Sequence, residues 1–295
     1  ALRSGADAIH PGWGFLAENA GFAQSVIDAG LTWIGPSPKV ISMLGDKIEA
    51  KALAKKAHVP TIPGIDAVTD PEQIKAWMKH DDVAYPIMIK AASGGGGKGM
   101  VKVENDNQLP QALARAQSEA KKSFGDDTIL VEKYIERGRH IEVQIVADTQ
   151  GNVVHLYERE CTLQRRNQKI IEEAPSPSLD ENLRSEICFT ATRLMREIGY
   201  TTAGTVEYIF DSATRKFYFL EVNTRLQVEH GISELITGLD IVSIMLDVAM
   251  GRKLPFQQSD IRPNRWALEV RLNAEDPKTF NPSFGAITRL QVPMG

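Results

Sequence analysis

Cysteine is scarce in this chain: Cys161 and Cys188 are the only two among 295 residues. Two cysteines so far apart form neither a disulfide framework nor the close spacing of a metal-binding motif. This scarcity favours a reducing compartment, which we expect to be the cytoplasm, or the mitochondrial matrix in a eukaryote.

Long apolar runs and an excess of positive charge are also missing. No stretch approaches the roughly 18 apolar residues of a membrane span, so we expect no membrane partner. Lys and Arg number 34 against 38 Asp and Glu, for a net charge of -4. This balance argues against a general nucleic-acid or membrane-surface binder. The remaining composition, 42% hydrophobic and 24% charged, is ordinary for a globular protein.

The ends of the sequence are abrupt. The chain opens on Ala1, with neither an initiator Met nor a signal-like segment. The strand and helix predicted near the start cannot form a core alone, and the end after Val292 follows a strand-like segment directly. At this length we expect two or more domains, and we expect the chain to be a fragment of a longer protein.

Two patterns of predicted elements follow one another. Asp46, with Glu49 three residues later, predicts a capped helix, and a compact unit of helices and strands follows up to Tyr134. From Arg139 onward strand patterns dominate, interrupted by two helices. Runs of strands with interspersed helices predict a mixed, largely antiparallel α+β fold.

The glycine loop Ser93–Gly99 lies between two predicted strands. It fails the Walker pattern, because Ala92 and Gly99 stand where Gly and then Ser or Thr are needed. Gly94, Gly96 and Gly99 fit the dinucleotide pattern, but that pattern must lead into a helix, whereas a strand follows here. A glycine-rich hairpin can instead close over nucleotide phosphates with its backbone N–H groups. The alternative is a flexible surface hairpin.

Two lysines are predicted near the ends of secondary-structure elements, one next to this loop and one earlier in the chain. Lys90 ends the strand before the loop, and Lys47 lies in the first turn of the helix after Asp46. Each alone is typical of a solvated surface lysine, but beside the loop both are candidates for neutralising phosphate oxygens. The segment Glu132–Ile135 lies where a hinge strand could present backbone groups to an adenine.

The stretch Phe219–His230 alternates polar and apolar residues. Its odd positions are Glu221, Asn223, Arg225, Gln227 and Glu229, and its even positions are Val222, Thr224, Leu226 and Val228. In an extended strand the two sets point to opposite faces. One face then carries metal-type oxygen ligands beside an anion-binding guanidinium, although a solvated polar face would show the same alternation.

Other charged residues form a second constellation. Glu207, predicted to lie on a strand opposite Glu221 and Asn223, would supply a hard oxygen ligand for magnesium; the alternative is a carboxylate at the sheet rim. The segment Arg165–Lys169 is either a charged loop or a source of a cation that faces a small anion. Arg271, on a predicted strand, is a further cationic candidate. Histidines placed like His140, at a strand start, are more often structural than ligands.

Taken in order, these motifs resemble biotin carboxylase, the ATP-grasp component of biotin-dependent carboxylases. The likeness rests on Lys47, on Lys90-Ala-Ala-Ser-Gly-Gly-Gly-Gly-Lys-Gly-Met, on Glu132-Lys-Tyr, on Arg139-His-Ile-Glu, on Gln164-Arg-Arg-Asn-Gln-Lys-Ile-Ile-Glu-Glu-Ala-Pro and on Glu221-Val-Asn-Thr-Arg-Leu-Gln-Val-Glu-His. His10-Pro-Gly-Trp-Gly-Phe-Leu-Ala-Glu-Asn and Arg271-Leu-Asn-Ala-Glu-Asp-Pro extend it over essentially the whole chain. An ordered set of this kind is far more specific than one glycine loop.

The resemblance implies an ATP-grasp fold at residues 46–256, with a mobile lid subdomain at about 62–134. Residues 1–45 would then be the remnant of an N-terminal Rossmann-like domain. Residues 257–295 would be the start of the biotin carboxylase C-terminal region.

The resemblance also implies roles for single residues. ATP would be bound by Lys47, Lys90, Gly95, Gly96, Gly97, Glu132, Lys133, Tyr134, Ile135, His140, Gln164 and Asn167. Magnesium or manganese, two ions in all, would be held by Glu207, Glu221 and Asn223. Bicarbonate would be bound by Lys169, Arg225, Gln227 and Val228. Glu229 would be the general base and Arg271 would face biotin, so that the catalytic set would be Arg225, Glu229, Lys169 and Arg271.

The implied activity is the ATP-dependent carboxylation of biotin on a carrier protein, with bicarbonate as carbon source and carboxyphosphate as intermediate. The implied partners are a biotinylated carrier protein or domain, a carboxyltransferase subunit or domain, and further copies of the chain in a homo-oligomer; no nucleic acid is expected. Two alternatives stay open. One is another ATP-grasp ligase acting on a carboxylate or on bicarbonate, and the other is a truncated, non-catalytic nucleotide-binding module.

The sequence departs from the family pattern at three places. Asn167 stands where the family often has His, and His230-Gly-Ile-Ser replaces the usual His-Pro-Val-Thr. Gly231 is expected to loosen the backbone after the proposed base. Trp13 replaces the usual Tyr, which we interpret as a packing change.

Overall fold

The structure is a computed structural model that describes residues 1–92 and 100–291. Its helices are α1 (Ala20–Asp28), α2 (Pro38–Gly45), α3 (Lys47–Lys56), α4 (Pro71–His80), α5 (Leu109–Phe124), α6 (Glu181–Ile198), α7 (His230–Thr237) and α8 (Ile241–Ala249). Its strands are β1 (Ala8–Ile9), β2 (Thr32–Trp33), β3 (Gly64–Ile65), β4 (Ile87–Ala91), β5 (Met100–Val103), β6 (Ile129–Lys133), β7 (Gly138–Ala147), β8 (Val153–Arg165), β9 (Gln168–Ala174), β10 (Thr202–Asp211), β11 (Lys216–Asn223) and β12 (Ala267–Val270).

The N-terminal part leads into the capped helix α3. Strands β1 and β2 pair in parallel, and Trp33 and Ile41 are buried in a small core with α1. The cap predicted at Asp46 is confirmed, because its carboxylate accepts hydrogen bonds from the backbone N–H groups of Ile48 and Glu49 at 2.8 and 2.9 Å. The cap fixes the start of α3, so that Lys47 occupies its first turn.

A four-stranded antiparallel sheet, in the order β3-β6-β4-β5, forms the compact unit that the sequence predicts before residue 134. In β4, Ile87, Ile89 and Ala91 are buried and alternate with half-buried Met88 and Lys90. The buried set packs on α4 and α5 in one core. Because side chains alternate along a strand, Lys90 points away from this core.

A six-stranded antiparallel sheet, in the order β11-β10-β7-β8-β9-β12, forms the larger unit. In β7, Ile141, Val143 and Ile145 pack against α6 and α3 in one core, whereas Val146 packs against α8 in another. Glu142 alternates with the first set, so it faces the same way as Val146. This second face is therefore apolar at one end of β7 and polar at the other.

Two β-bulges move charged residues onto the polar end. Between the pairs Val143–Glu158 and Ile145–His155, β7 has one residue and β8 has two, so β8 carries one extra residue. One of these two residues is Tyr157, whose φ is positive at 64°. The bulge reverses the alternation of the strand, and Arg159 becomes the direct neighbour of Glu142.

The second bulge lies in β11, where Leu220 is the extra residue between the pairs Glu207–Glu221 and Tyr208–Phe219. It allows Phe219 and Val222 to share one core although they lie an odd number of residues apart. Glu221 is thereby placed opposite Glu207, as predicted.

One predicted strand is too long. The strand predicted to run through residue 228 ends at Asn223, and residues 224–229 form bends and turns before α7 begins. The reason is tertiary, because the N–H of Thr224 donates to Glu18 Oε1 at 3.2 Å rather than to a neighbouring strand. Of the two alternatives for Arg165–Lys169, the structure supports the source of a cation. The segment turns at Arg166 and Asn167, with φ values of 52° and 63°, and Lys169 lies in β9 beside Glu207 and Glu229.

Candidate active site

A cavity of about 910 Å³ lies between α3, the four-stranded sheet and the polar end of the six-stranded sheet. Among the described residues, fifteen of the predicted site residues line it: Lys47, Lys90, Glu132, His140, Gln164, Asn167, Lys169, Glu207, Glu221, Asn223, Arg225, Gln227, Val228, Glu229 and Arg271. The fold therefore brings together residues that are up to 224 positions apart in the sequence, from Lys47 to Arg271.

A row of charges crosses four neighbouring strands at the floor of the site. Arg159, Glu142, Glu207 and Glu221 are successive cross-strand neighbours on β8, β7, β10 and β11. Glu142 is fully buried and Glu207 is 5% exposed. Adjacent buried carboxylates repel one another, so this row requires cations nearby.

Lys169 supplies one of these cations from β9. Its ammonium contacts Glu142 and lies 3.0 Å from Glu207 Oε1 and 2.6 Å from Glu229 Oε1. Burial alone would lower the pKa of Lys169, but the surrounding carboxylates, Glu142 first, raise it well above its usual range. Burial would likewise raise the pKa of Glu207, yet Lys169 and His140 hold it well below its usual range.

Glu229 is held between two cations at the end of the 224–229 segment. Besides Lys169 it contacts Arg271, whose Nη2 lies 2.8 Å from Glu229 Oε2. Arg271 is itself fixed by Glu172, whose Oε1 lies 2.6 Å from Nε. Burial would raise the pKa of Glu229, but Lys169 and Arg159 lower it to about 2. Glu229 is therefore ionised at neutral pH.

Arg225 reaches the cavity from the same segment. Its Nε donates to Glu18 Oε2 at 2.9 Å, and its Nη2 donates to Asn223 Oδ1 at 3.2 Å. Glu18 therefore binds both the guanidinium of Arg225 and the backbone of Thr224. This contact joins the N-terminal part of the chain to the candidate anion-binding segment.

Arg159 fixes Gln227, the next polar residue of the 224–229 segment. It is fully buried, and its guanidinium donates to Glu142 at 2.7 Å, to Gln227 Oε1 at 2.9 Å and to Ser233 Oγ at 2.8 Å. Gln227 in turn donates from Nε2 to Glu207 Oε1 at 3.0 Å. The orientation of Gln227 is thus set by groups from two strands.

The opposite end of the cavity carries lysines. Lys90 Nζ lies 2.6 Å from Glu132 Oε2, and Lys51 Nζ lies 2.9 Å from Glu132 Oε1. Lys47 lines the same end, and burial lowers its pKa while Glu221 opposes the shift. One end therefore has lysines around a single carboxylate, and the other has a row of carboxylates paired with Lys169, so the two ends differ chemically.

His140 and Gln164 lie beside the carboxylate row. His140 Nε2 is 2.9 Å from Glu207 Oε2, and Gln164 Nε2 is 3.2 Å from His140 Nδ1. Burial would lower the pKa of His140, but the charge of Glu207 raises it above its usual value. Its ion pair with Glu207 makes His140 part of the charge network, which goes beyond the structural role that its position at a strand start suggests.

Some predicted residues do not gather here. Lys133, Tyr134 and Ile135 follow Glu132 but do not line the cavity. Gly95, Gly96 and Gly97 lie outside the described residues.

The predicted metal ligands fit a hard divalent cation. Glu207 and Glu221 are direct cross-strand neighbours, and Asn223 Nδ2 donates to Glu207 Oε1 at 2.7 Å. Within residues 1–92 and 100–291 no hydrogen bond or ion pair engages the carboxylate of Glu221, and burial together with the charge of Glu207 raises its pKa. Two carboxylates and an amide oxygen are the ligands that magnesium prefers.

Among the residues that sequence reasoning missed are Glu18, Glu142, Arg159 and Glu172. Glu142 carried a signal, because it alternates with buried Ile141 and Val143 in a strand without Lys or Ser on its polar face. Arg159 had none, since only the bulge at Tyr157 turns it toward the site.

The three residues that depart from the family pattern lie in different parts of the structure. Asn167 occupies the second turn position of the hairpin, where its positive φ suits Asn. Gly231 lies in the first turn of α7, and a Cβ there would meet open space. The packing interpretation of Trp13 is wrong, because the residue lines the cavity and is 56% exposed.

Comparisons with known proteins agree with this arrangement. The ATP-binding domain of the carbamoyl-phosphate synthase L chain matches residues 46–257, and the biotin carboxylase N-terminal domain matches residues 1–41. A biotin carboxylase of Pseudomonas aeruginosa is 47% identical over 99% of this chain and 65% of its own length. Biotin carboxylase 2 of Bacillus subtilis is 50% identical over 99% of this chain and 66% of its own length.

A solved structure shows what a close relative binds. The biotin carboxylase domain dimer of the Hydrogenobacter thermophilus 2-oxoglutarate carboxylase, in complex with MgADP, ADP and bicarbonate, has a TM-score of 0.93 and 47% identity. It covers 100% of this chain, which covers 65% of that chain.

The fold and the two-ended cavity define a protein of the ATP-grasp class. Within that class the chain belongs to the biotin carboxylase family. It spans about two thirds of the length of the relatives it matches. Among the described residues, none of the helices has the length and apolarity to cross a membrane.

Proposed function

We propose that this chain carries out the ATP-dependent carboxylation of biotin, on a carrier protein, with bicarbonate as the carbon source. The observation that carries the proposal is the meeting of Lys169 and Arg271 on the ionised carboxylate of Glu229, in a cavity that Arg225 also lines. Two cations on one carboxylate, with a further guanidinium in the same cavity, form a place where a small anion can be held next to a base.

The first chemical step joins bicarbonate to ATP. A bicarbonate oxygen attacks the terminal phosphorus, the bond to ADP breaks, and carboxyphosphate forms. Lys169 and Arg225 would hold bicarbonate in line, with Gln227 and the backbone of Val228. Glu229 would accept the bicarbonate proton. Its low pKa, caused by Lys169 and Arg159, makes it a weak base, so anion binding to Lys169 would raise its basicity.

The second step transfers the carbon. Carboxyphosphate breaks into carbon dioxide and phosphate, and the phosphate takes the proton of the biotin ureido nitrogen. The nitrogen then attacks carbon dioxide, forming the new N–C bond. Arg271 would stabilise the negative charge that develops on the ureido oxygen, because its guanidinium is already fixed by Glu172.

At the nucleotide end, Lys47 and Lys90 would bind phosphate oxygens, and His140, Gln164 and Asn167 would line the nucleotide. We assign adenine to the backbone of Glu132–Ile135, and phosphates to the N–H groups of Gly95, Gly96 and Gly97. Glu207, Glu221 and Asn223 would hold magnesium or manganese as two ions, and the metal would supply charge neutralisation at the phosphates.

The remaining assignments follow from the family. Residues 46–256 would form the ATP-grasp domain with a lid at about 62–134, flanked by an N-terminal part at 1–45 and a C-terminal part at 257–295. The partners would be a biotinylated carrier, a carboxyltransferase and further copies of the chain. Cys161 and Cys188 are buried and free, which supports a reducing compartment such as the cytoplasm.

Turnover with free biotin tests the proposal. The chain should form ADP with a rate that depends on bicarbonate and rises with free biotin, and Arg225→Ala should lower kcat about 100-fold. Arg252→Ala, which removes an exposed guanidinium paired with Asp247, should leave the rate unchanged. Full activity of Arg225→Ala would overturn the proposal. Turnover that ignores biotin would indicate another ATP-grasp ligase, and MgATP binding without turnover a non-catalytic module.

A further inference from the structure

A buried lysine outside the predicted set lines the nucleotide end of the cavity. Lys51 lies on α3 one helical turn after Lys47 and is 6% exposed. Its Nζ is 2.9 Å from Glu132 Oε1 and 3.7 Å from Asp66 Oδ1. Lys90 Nζ is 2.6 Å from the other oxygen of Glu132. One buried carboxylate on β6 is therefore shared by lysines from α3 and β4.

The two lysines differ in their freedom to move. A Cβ at Gly64 would lie 3.0 Å from Lys51 Nζ and 2.6 Å from the carbonyl oxygen of Val131, so the β3 backbone encloses this ammonium closely. The side chain of Lys51 is 7% exposed, against 15% for Lys90. Lys90 is thus the partner of Glu132 that a ligand in the cavity can draw away.

Drawing Lys90 away has an electrostatic consequence. Burial would raise the pKa of Glu132, but Lys90 and Lys51 lower it, so Glu132 is ionised at neutral pH. If Lys90 were its only cation, moving Lys90 to a phosphate would leave a buried carboxylate unpaired, which is strongly unfavourable. With Lys51 in place, Glu132 keeps one ion pair throughout.

We propose that Lys51 is a positioning residue for nucleotide binding, which keeps Glu132 paired so that Lys90 can transfer to a phosphate of ATP. The inference rests on the proposed function, since it takes Lys90 as a phosphate ligand. Lys51 itself need not touch the nucleotide.

Isothermal titration calorimetry with MgATP on the whole chain tests this role. Lys51→Met keeps the length of the side chain but removes its charge. MgATP should then bind about ten-fold more weakly, because Glu132 is left without an ion pair when Lys90 moves to a phosphate. Lys51→Arg should retain most of the affinity. Lys55→Met, one turn further along α3 at an exposed position, is the matched control and should bind as the unaltered chain does.

A double variant separates the charge effect from a merely structural one. The double variant Lys51→Met/Glu132→Gln has no carboxylate at position 132 that could lose its ion pair, so its affinity for MgATP should equal that of Glu132→Gln alone. If Lys51→Met alone does not fold, comparing the double variant with Glu132→Gln still tests the inference. A double variant markedly weaker than Glu132→Gln, or a folded Lys51→Met that binds like the unaltered chain, overturns the inference but leaves the proposed function intact. Absence of MgATP binding to the unaltered chain overturns both.

Discussion

Buried carboxylates in this protein are held ionised by cations that come from other elements. Glu207 and Glu229 share Lys169, and Glu132 shares Lys51 and Lys90. Each carboxylate loses its water on folding, and only a paired cation with good geometry offsets that loss. At the scale of single residues, the site is therefore a set of ion pairs in which each member fixes the position of another.

Glu18 should act through Arg225. Since its carboxylate orients the guanidinium at 2.9 Å, Glu18→Gln should raise the KM for bicarbonate several-fold with a smaller effect on the KM for ATP. Steady-state kinetics with each substrate varied in turn measures the split. Asp28→Asn, at an exposed position in helix α1, is the control that should change neither constant. Equal effects on both constants would assign Glu18 a general structural role instead.

Glu160 should contribute stability that depends on pH. Burial would raise its pKa, but hydrogen bonds from Ser176, Ser178 and Arg139 lower it below the usual value. A folded pKa below the unfolded value of about 4.3 means that the stabilisation is fully present above that pH and is lost as the pH falls through the folded pKa.

Glu160→Gln should therefore lower the free energy of unfolding by about 2 kcal/mol at pH 7, because hydrogen bonds to a charged group are lost. The difference from the unaltered chain should shrink as the pH falls below about 4.3, as followed by urea unfolding at a series of pH values. Glu186→Gln, at an exposed position on α6, should show no such trend. A difference for Glu160→Gln that is independent of pH would contradict the assignment.

At the scale of elements, bulges and turns decide which side chains enter the site. The bulges at Tyr157 and Leu220 each reverse the alternation of their strand, and the two-residue turn at Arg166–Asn167 brings Lys169 back over β8. Helix α7 begins at His230, directly after Glu229. The functional side chains thus cluster at the irregular points of regular elements, where the backbone can change direction.

Gly231 should be replaceable with a gain in stability. It is helical, and a Cβ there meets open space, so Gly231→Ala should raise the free energy of unfolding by about 0.5 kcal/mol. The matched change at the other end of α7, Gly238→Ala, should lower it by about 1 kcal/mol because φ there is +76°. Chemical denaturation of both variants gives the comparison. Destabilisation by Gly231→Ala would show that the N-terminal turn of α7 is more crowded than its geometry indicates.

At the scale of the whole molecule, the cavity joins parts with separate cores. The four-stranded sheet and the six-stranded sheet each have their own buried clusters, and the cavity takes residues from both and from the N-terminal part. A ligand that contacts all three should therefore stabilise the whole fold, because it binds only when they are assembled.

MgATP should raise the stability of the chain by about 2.7 kcal/mol at a concentration 100 times its Kd. Thermal unfolding with and without nucleotide and magnesium measures the effect. Glu221→Gln should weaken the part of the shift that requires magnesium, whereas Glu186→Gln should not. No shift with MgATP, or the same shift after chelation of the metal, would contradict the metal assignment.

Much of the fold could be predicted from the sequence because local patterns determine it. The cap at Asp46, the alternation in β4 and the helix pattern ending before Gly199 are local, and each is present. The strand through residue 228 was wrong because its polar alternation arises in a turn held by Glu18, 206 residues away. The alternatives open at Arg165–Lys169 could not be decided from the sequence, because only the pairing of β8 with β9 places Lys169 beside Glu207 and Glu229.

The sequence by itself determined the kinds of group in the site and the family, since ordered motifs of carboxylates, lysines and glycines are properties of the chain alone. Only the tertiary structure decided how these groups meet. The charge row from Arg159 to Glu221 depends on strand register and on two bulges, and register is set by packing between distant segments. The partners of Arg225, Glu132 and Arg271 were likewise decided by packing, because an ion pair forms between groups that the fold brings within reach.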